Sequence, residues 1–175
     1  IPAVVCSTGN IFDAPEAEEM QRLLTSMADP SDIGRLKAAL ATDILGLHAD
    51  DIAAADREPD GWEERLSRTR DYFQVWHRQG FMPMFRRLLT GERVKERLLR
   101  FPDGERRLTN LLHLGELLHQ AAGENNLGMT GLLKWLAEQR DPSTPRLEEH
   151  QLRLESDEAA VKIVTIHKSK GLEYR

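Results

Sequence analysis

Cysteine is almost absent from this 175-residue chain: Cys6 stands alone. One thiol builds neither a disulfide framework nor a zinc–thiolate cluster, so the sequence reads as a protein of a reducing compartment such as the cytosol. Long apolar runs are missing as well. None approaches the roughly 20 residues that a membrane-spanning helix requires, and no secretory leader pattern opens the sequence. The strings that often carry chemistry are absent in turn. Without G-x-x-x-x-G-K-[ST], these residues hold no phosphate loop able to cradle ATP and magnesium by themselves. H-E-x-x-H, C-x-x-C and G-x-S-x-G do not occur either. The six histidines are scattered, and His113 and His119, six apart on one expected helix, do not share a face. No catalytic residue and no metal-ligand set is therefore expected within the chain.

Charge, by contrast, is plentiful. Charged residues make up 30% of the chain and hydrophobic ones 40%, enough for a core and typical of a helix-rich protein. The net charge of −5 argues against indiscriminate nucleic-acid binding, but the charge is unevenly spread. The stretch 49–64 is strongly acidic, whereas 85–100, FRRLLTGERVKERLLR, sets six Lys or Arg against two Glu. Arg86, Arg87, Arg93, Lys95 and Arg97 are thus candidates for a DNA or partner surface. The plainer reading is a solvated helix face carrying local ion pairs.

Periodicity points to a mainly α protein with short β segments at its two ends. Val4 and Val5 suggest a buried strand closed by Ser, Thr and Gly. A helix follows, with Asp13 as its expected cap and Pro15 in its first turn. Ile33, Leu36, Leu40, Ile44 and Leu47 predict a second helix, and Pro59-Asp60-Gly61 marks 48–61 as a loop. Trp62 to Gln79 should form a long helix, with shorter ones on either side of Gly91. Further helices are expected over 105–122, burying Leu108, Leu111, Leu112, Gly115 and Leu118, and over 129–141. Residues 142–159 read as a flexible connector. The tryptophans Trp62, Trp76 and Trp135, with Phe73 and Phe85, fall at helical spacing and are assigned to the core rather than to base stacking. Val161, Ile163, Val164 and Ile166 form a β-branched closing strand. A lone strand at each end needs a partner for its backbone hydrogen bonds. The economical solution puts both ends in one α/β layer, with the helical middle inserted into it.

The closing string, VTIHKSKGLEYR (164–175), is the one segment with the residue types of a ligand-handling strand exit. Thr165 and His167 share one face, Lys168 and Lys170 add charge, Gly171 permits close backbone approach and Glu173 can accept from a ribose hydroxyl. Taken whole, it resembles motif V of superfamily 1 DNA helicases, T-x-H-x-(S/A)-K-G-L-E-(F/Y). Thr165, His167, Ser169, Lys170, Gly171, Leu172, Glu173 and Tyr174 fill every position. The Arg-Leu-Glu-Ser-Asp at 153–157 and the Ile-His-Lys-Ser at 166–169 resemble the RecB family, the beta subunits of exodeoxyribonuclease V. NIFDAPEAEEMQRLL, WHRQGFMPMFRRLL and the R-x-x-N-L-x-x-L helix in GERRLTNLLHLGELLH are similar to further stretches of the same family. The family has proline after Glu-Tyr/Phe where this chain has Arg175.

The resemblance implies a layout. Residues 1–46 would begin the second RecA-like domain (2A), 47–157 would form the inserted helical subdomain 2B, and 158–175 would return to 2A with motif V. It implies DNA contact at Thr165 and His167, and nucleotide contact at Gly171 and Glu173. ATP and magnesium would serve the parent protein without being held by this stretch. DNA and the gamma and alpha subunits of exodeoxyribonuclease V would be its partners in a bacterial cytoplasm, with no membrane. The alternative is a helical docking or regulatory module that touches neither DNA nor nucleotide directly.

Overall fold

The computed structural model describes residues 3–5, 9–145, 150, 152 and 161–163. Among these, the element order is β1 (Ala3–Val5), a single 3-10 turn (Ile11–Asp13), α1 (Pro15–Ala28), α2 (Ile33–Leu40), α3 (Ala49–Ala55), α4 (Glu63–Gln79), α5 (Phe81–Gly91), α6 (Val94–Leu98), α7 (Gly104–Glu124), α8 (Met129–Arg140) and β2 (Val161–Ile163). The fold is mainly α, as the periodicity predicts. The two end strands run parallel, with Ala3 opposite Val161 and Val5 opposite Ile163.

Entry into α1 differs from the expectation. Asn10, not Asp13, is the capping side chain: its Oδ1 accepts from the Phe12 N–H at 2.8 Å and starts the 3-10 turn. α1 then begins on Pro15 with Ala14 at its cap position. Proline suits this place because a first-turn N–H has no helical acceptor to lose. Ala17, Met20, Leu23, Leu24 and Met27 line the buried face of α1, spaced at three and four as a helix stripe demands. That face packs against α2, α4, α7 and α8, which makes α1 the central element of the body.

The second predicted helix stops early. α2 ends at Leu40, and the Thr42 hydroxyl turns back to the Ala39 carbonyl at 2.6 Å. A turn therefore carries Ile44 into the core, where it is 1% exposed. Gly46 occupies the left-handed region at φ +70° that this turn requires. The acidic stretch expected to be a loop contains α3, whose first turn is closed by Asp51 accepting from the His48 N–H at 3.1 Å. α3 docks through a small satellite cluster of Leu36, Ala55 and Trp62. Lys37 and Arg65 lie over the Trp62 ring, 5.2 and 5.6 Å from its centroid, and the indole donates to Asp56 at 3.0 Å. Cations over an indole face are attracted by its quadrupole, so Trp62 is a joint and not a free stacking platform.

α4 and α5 form a hairpin broken at Gly80, whose φ of +89° no side-chain-bearing residue adopts readily. Pro83 falls in the first turn of α5, where its missing N–H leaves no helical carbonyl unserved. Trp76, Phe81, Met84, Phe85 and Leu88 close the hairpin onto α7. Gly115 on α7 makes the seam tight, since a Cβ there would sit 2.3 Å from Phe85 Cε1. The core runs without interruption from Ile11 and Phe12 through Ile44 to Leu132 and Leu136. Two expectations fail at its edges. Leu112, predicted to be buried, is 42% exposed, and Phe73 stacks on the exposed His77, 5.9 Å between centroids, outside both core clusters. Within the expected connector, His150 is 3% exposed, its ring edge-on to Phe12 at 4.9 Å, and the Leu152 N–H donates to the Gly9 carbonyl at 3.0 Å. That part of the segment is tied to the start of the helical body.

Candidate functional site

The residues of the closing motif, Thr165, His167, Gly171 and Glu173, lie outside the described residues. The described part of the candidate site is therefore the basic run on α5, α6 and their junction. α5 turns Phe81, Met84, Phe85 and Leu88 inward, and this phase puts Arg86 and Arg87 outward. At the end of α5 the backbone reverses through Arg93, which takes the left-handed conformation at φ 51°, ψ 43°. A side-chain-bearing residue there costs about 1–2 kcal/mol. α6 follows for one turn, burying Val94 and Leu98 and leaving Arg93 and Lys95 in solvent.

Arg97 behaves differently from its four neighbours. Its Nη1 donates to the Ile44 carbonyl at 2.7 Å, and its stem crosses Gly46 so closely that a Cβ there would meet Arg97 Cδ at 2.5 Å. Arg97 thus fastens α6 to the turn after α2. The structure brings Arg86, Arg87, Arg93 and Lys95 to the surface as exposed cations and gives Arg97 a packing partner.

The local ion pairs expected within 92–97 are replaced by pairs across elements. Glu92 accepts from the Tyr72 hydroxyl at 2.8 Å and from Arg68 at 3.4 Å, while Arg68 also donates to Glu64 at 2.6 Å. Burial pushes the Tyr72 phenol above its ordinary range, and the adjoining Glu92 carboxylate pushes it further. The Glu92 carboxylate in turn raises the Arg68 guanidinium above its usual value. A cavity of about 230 Å³ opens beside this network, floored by Met27, Leu36, Leu40 and Leu88. Tyr72, Glu92, Arg68 and Glu64 engage one another, so the network locks α4 to the α5–α6 junction.

The R-x-x-N-L-x-x-L residues of α7 acquire a physical meaning. Leu111 and Leu114 are fully buried. Arg107 pairs with Asp103 at 2.7 Å and with Asp43 in the turn after α2, and its guanidinium lies 4.4 Å from the Phe101 ring centroid. Arg106 and then Arg107 hold the Asp103 carboxyl below its usual range. Asn110, 2% exposed, donates from Nδ2 to Glu16 Oε2 at 3.2 Å, and Glu16 is itself only 5% exposed. On α1, Glu19 accepts from the Ile44 N–H at 3.1 Å. Burial raises its pKa above the ordinary carboxylate value, opposed by the hydrogen bonds from the Ile44 and Asp43 backbone. Sequence reasoning did not anticipate Glu16 or Glu19. Glu16 looks like an ordinary first-turn acid of a solvated helix and Glu19 like an exposed acid one turn on, and only the arrival of α7 and of residue 44 buries the first and half-buries the second.

Among the described residues no group of three or more His, Cys, Asp or Glu is arranged to hold a metal ion, and no helix is long and apolar enough to cross a membrane. No family model matches the chain. Individual relatives do. The chain is 41% identical over 175 residues to the RecBCD enzyme subunit RecB of Escherichia coli (strain K12), a match that covers 99% of this chain and 15% of that protein. It is 39% identical to the RecB subunit of Haemophilus influenzae, again over 99% of this chain and 14% of the relative. The RecB subunit of Mycobacterium tuberculosis (strain CDC 1551 / Oshkosh) is 34% identical over 99% of this chain and 16% of its own length. The chain therefore spans only about a seventh of these relatives. The resemblance to RecB subunits is borne out by matches that extend over 99% of the chain, which is homologous to one segment of those subunits.

Proposed function

We propose that this chain is a segment of the motor subunit of an ATP-dependent DNA helicase and exonuclease that acts in double-strand break repair and recombination. The observation that carries the reading is the similarity to RecB subunits over 99% of the chain. In this reading, 1–46 and 158–175 are parts of the RecA-like domain 2A, and 47–157 is the inserted subdomain 2B. The parallel pairing of Ala3–Val5 with Val161–Ile163 supports it, because a parallel neighbour is what a RecA-like sheet supplies at each end of an insertion. The core is continuous across residue 46, so α1, α2 and the helices of 2B would move as one piece. Thr165 and His167 would touch the DNA backbone, and Gly171 and Glu173 the nucleotide, coupling cleft closure to a step along DNA. ATP and magnesium would be held by other parts of the subunit, and the gamma and alpha subunits of exodeoxyribonuclease V would be its partners. The segment itself would hydrolyse no ATP; DNA-stimulated ATPase activity of the 175-residue chain above that of a His167→Ala control would sink this.

Arg86, Arg87, Arg93 and Lys95 supply the exposed cations of a DNA surface. Fluorescence anisotropy of labelled duplex and single-stranded DNA, titrated between about 50 and 200 mM salt, tests it. Each cation that meets a phosphate should lower the salt slope by about 1 when changed to Gln. A docking role is the second reading. It is favoured by the engagement of Arg97 with Ile44 and by Leu99 and Leu112, which are 44% and 42% exposed. Absence of DNA binding at low salt, with capture of an alpha or gamma subunit retained, would select it.

A further inference from the structure

A second group of arginines converges on a different set of helices. α1 presents Glu18, Gln21, Arg22 and Thr25 at positions i, i+3, i+4 and i+7, one stripe of its surface. Arg35 reaches this stripe from α2 and Arg140 from the last residue of α8, and together they border a pocket of about 270 Å³. Three guanidinium groups thus face one carboxylate, Glu18, among the lining residues. Glu18 pairs with Arg22 and lies 3.8 Å from Arg140 Nη2. Arg140 Nη1 donates to Gln21 Oε1. Arg35 is held from behind by Asp32 at 3.1 Å and Asp29 at 3.7 Å, neither of which lines the pocket.

These pairs orient the three forks without exhausting them. A guanidinium carries five N–H donors, and the pairs above use one or two on each side chain. Arg140 Nε is buried with no hydrogen-bond partner among the described residues. An orphaned buried N–H on a cation is costly unless a bound group completes it. Planar forks of this kind match the oxygens of a phosphate group, and the match is stronger where the arginine stems are half-buried.

We propose that Arg22, Arg35 and Arg140 form a phosphate-binding pocket between α1, α2 and α8. The phosphate belongs to a polynucleotide backbone or to a small phosphate compound such as a free nucleotide. Arg35 and Arg140 grip its oxygens, Arg22 closes the rim, and Glu18 holds Arg22 and Arg140 in register. Only the polynucleotide source depends on the helicase reading; the pocket does not.

Isothermal titration of the 175-residue chain with inorganic pyrophosphate at low ionic strength tests the pocket directly. Wild type should bind, and the Arg22→Gln/Arg35→Gln pair should bind about tenfold or more weakly, because two charge-assisted hydrogen-bonding groups are removed. Arg86→Gln/Arg87→Gln, on α5, should leave pyrophosphate binding unchanged. Circular dichroism checks that each variant folds. Should the pair unfold, Arg22→Gln alone, about half exposed, should show the same weakening at smaller amplitude. A 15-mer oligothymidine without terminal phosphate identifies the source. Its displacement by pyrophosphate, with a salt slope lower by about 2 in the Arg22→Gln/Arg35→Gln pair, assigns a polynucleotide backbone. Pyrophosphate binding without such displacement assigns a small phosphate compound. Failure of wild type to bind pyrophosphate, or an affinity unaltered by the arginine changes, overturns the proposal.

Discussion

The closeness with which α5 packs on α7 depends on a single absent side chain. Gly115 of α7 lets the Phe85 ring approach until a methyl group in its place would lie 2.3 Å from Cε1, 2.8 Å from Cζ and 3.0 Å from Cδ1. Gly115→Ala should gain about 1 kcal/mol from helix propensity, since glycine is the poorer helix former. Against this, the ring would have to retreat by more than an ångström. Phe85 is 3% exposed and stacked on Phe81 at 5.5 Å, so it has little space to enter. Overpacking of this kind costs about 1–3 kcal/mol, and the severity of the clash places it in the upper half of that range. The net is a loss of about 1–2 kcal/mol. For a chain of this size that is a fall in Tm of about 2–8 °C, readable by calorimetry or by circular dichroism in the far ultraviolet. Phe85→Leu removes the two closest ring atoms, so the same Gly115→Ala change made in that background should be neutral or stabilising. A rise in Tm on Gly115→Ala in the otherwise unchanged chain would refute the reasoning.

Other perturbations read other joints. Arg93→Gly should stabilise the chain by about 1 kcal/mol in urea unfolding, because glycine occupies the left-handed region without penalty; destabilisation would show that the Arg93 side chain does more than turn the backbone. Asn110→Ala should cost about 1–3 kcal/mol by stripping the buried Glu16 carboxylate of its donor, and stability equal to the parent chain would contradict that account. Glu19 has a folded-state pKa above the ordinary value of 4.5, so the folded chain binds more protons there than the unfolded one. Its contribution to stability therefore falls as pH rises from about 4.5 through the raised value. Glu19→Gln should stabilise the chain at neutral pH and lose that advantage below the unfolded pKa, as denaturation midpoints across pH would record. An unchanged midpoint at every pH would refute the desolvation of this half-buried carboxylate.

Local rules made much of the helical framework legible. α1, α4, α5, α7 and α8 follow from apolar residues at three- and four-residue spacing, and Gly91 marks the end of α5. The similarity to RecB subunits was legible as well, because a motif is a string and strings need no coordinates. Where the reading failed, tertiary contacts had overridden local preference. Ile44 continues the helical pattern of α2 in sequence, yet it is claimed by a core that only a turn can reach. His150 sits among proline, serine and charge, yet it is buried against Phe12, which precedes it by more than a hundred residues.

The basic run and the arginine pocket divide in the same way. Composition and periodicity are properties of one segment, and they are enough to make 85–100 cationic and to turn Arg86 and Arg87 outward. Packing between segments is what commits Arg97 to the Ile44 carbonyl and Glu92 to Tyr72 and Arg68. Packing also gathers Arg22, Arg35 and Arg140 around one pocket. A side chain's charge is written in its own residue. Whether that charge meets solvent, a carbonyl or two further arginines depends on segments far along the chain, as Arg22 is 118 positions from Arg140, and those distances close only when the apolar faces pack.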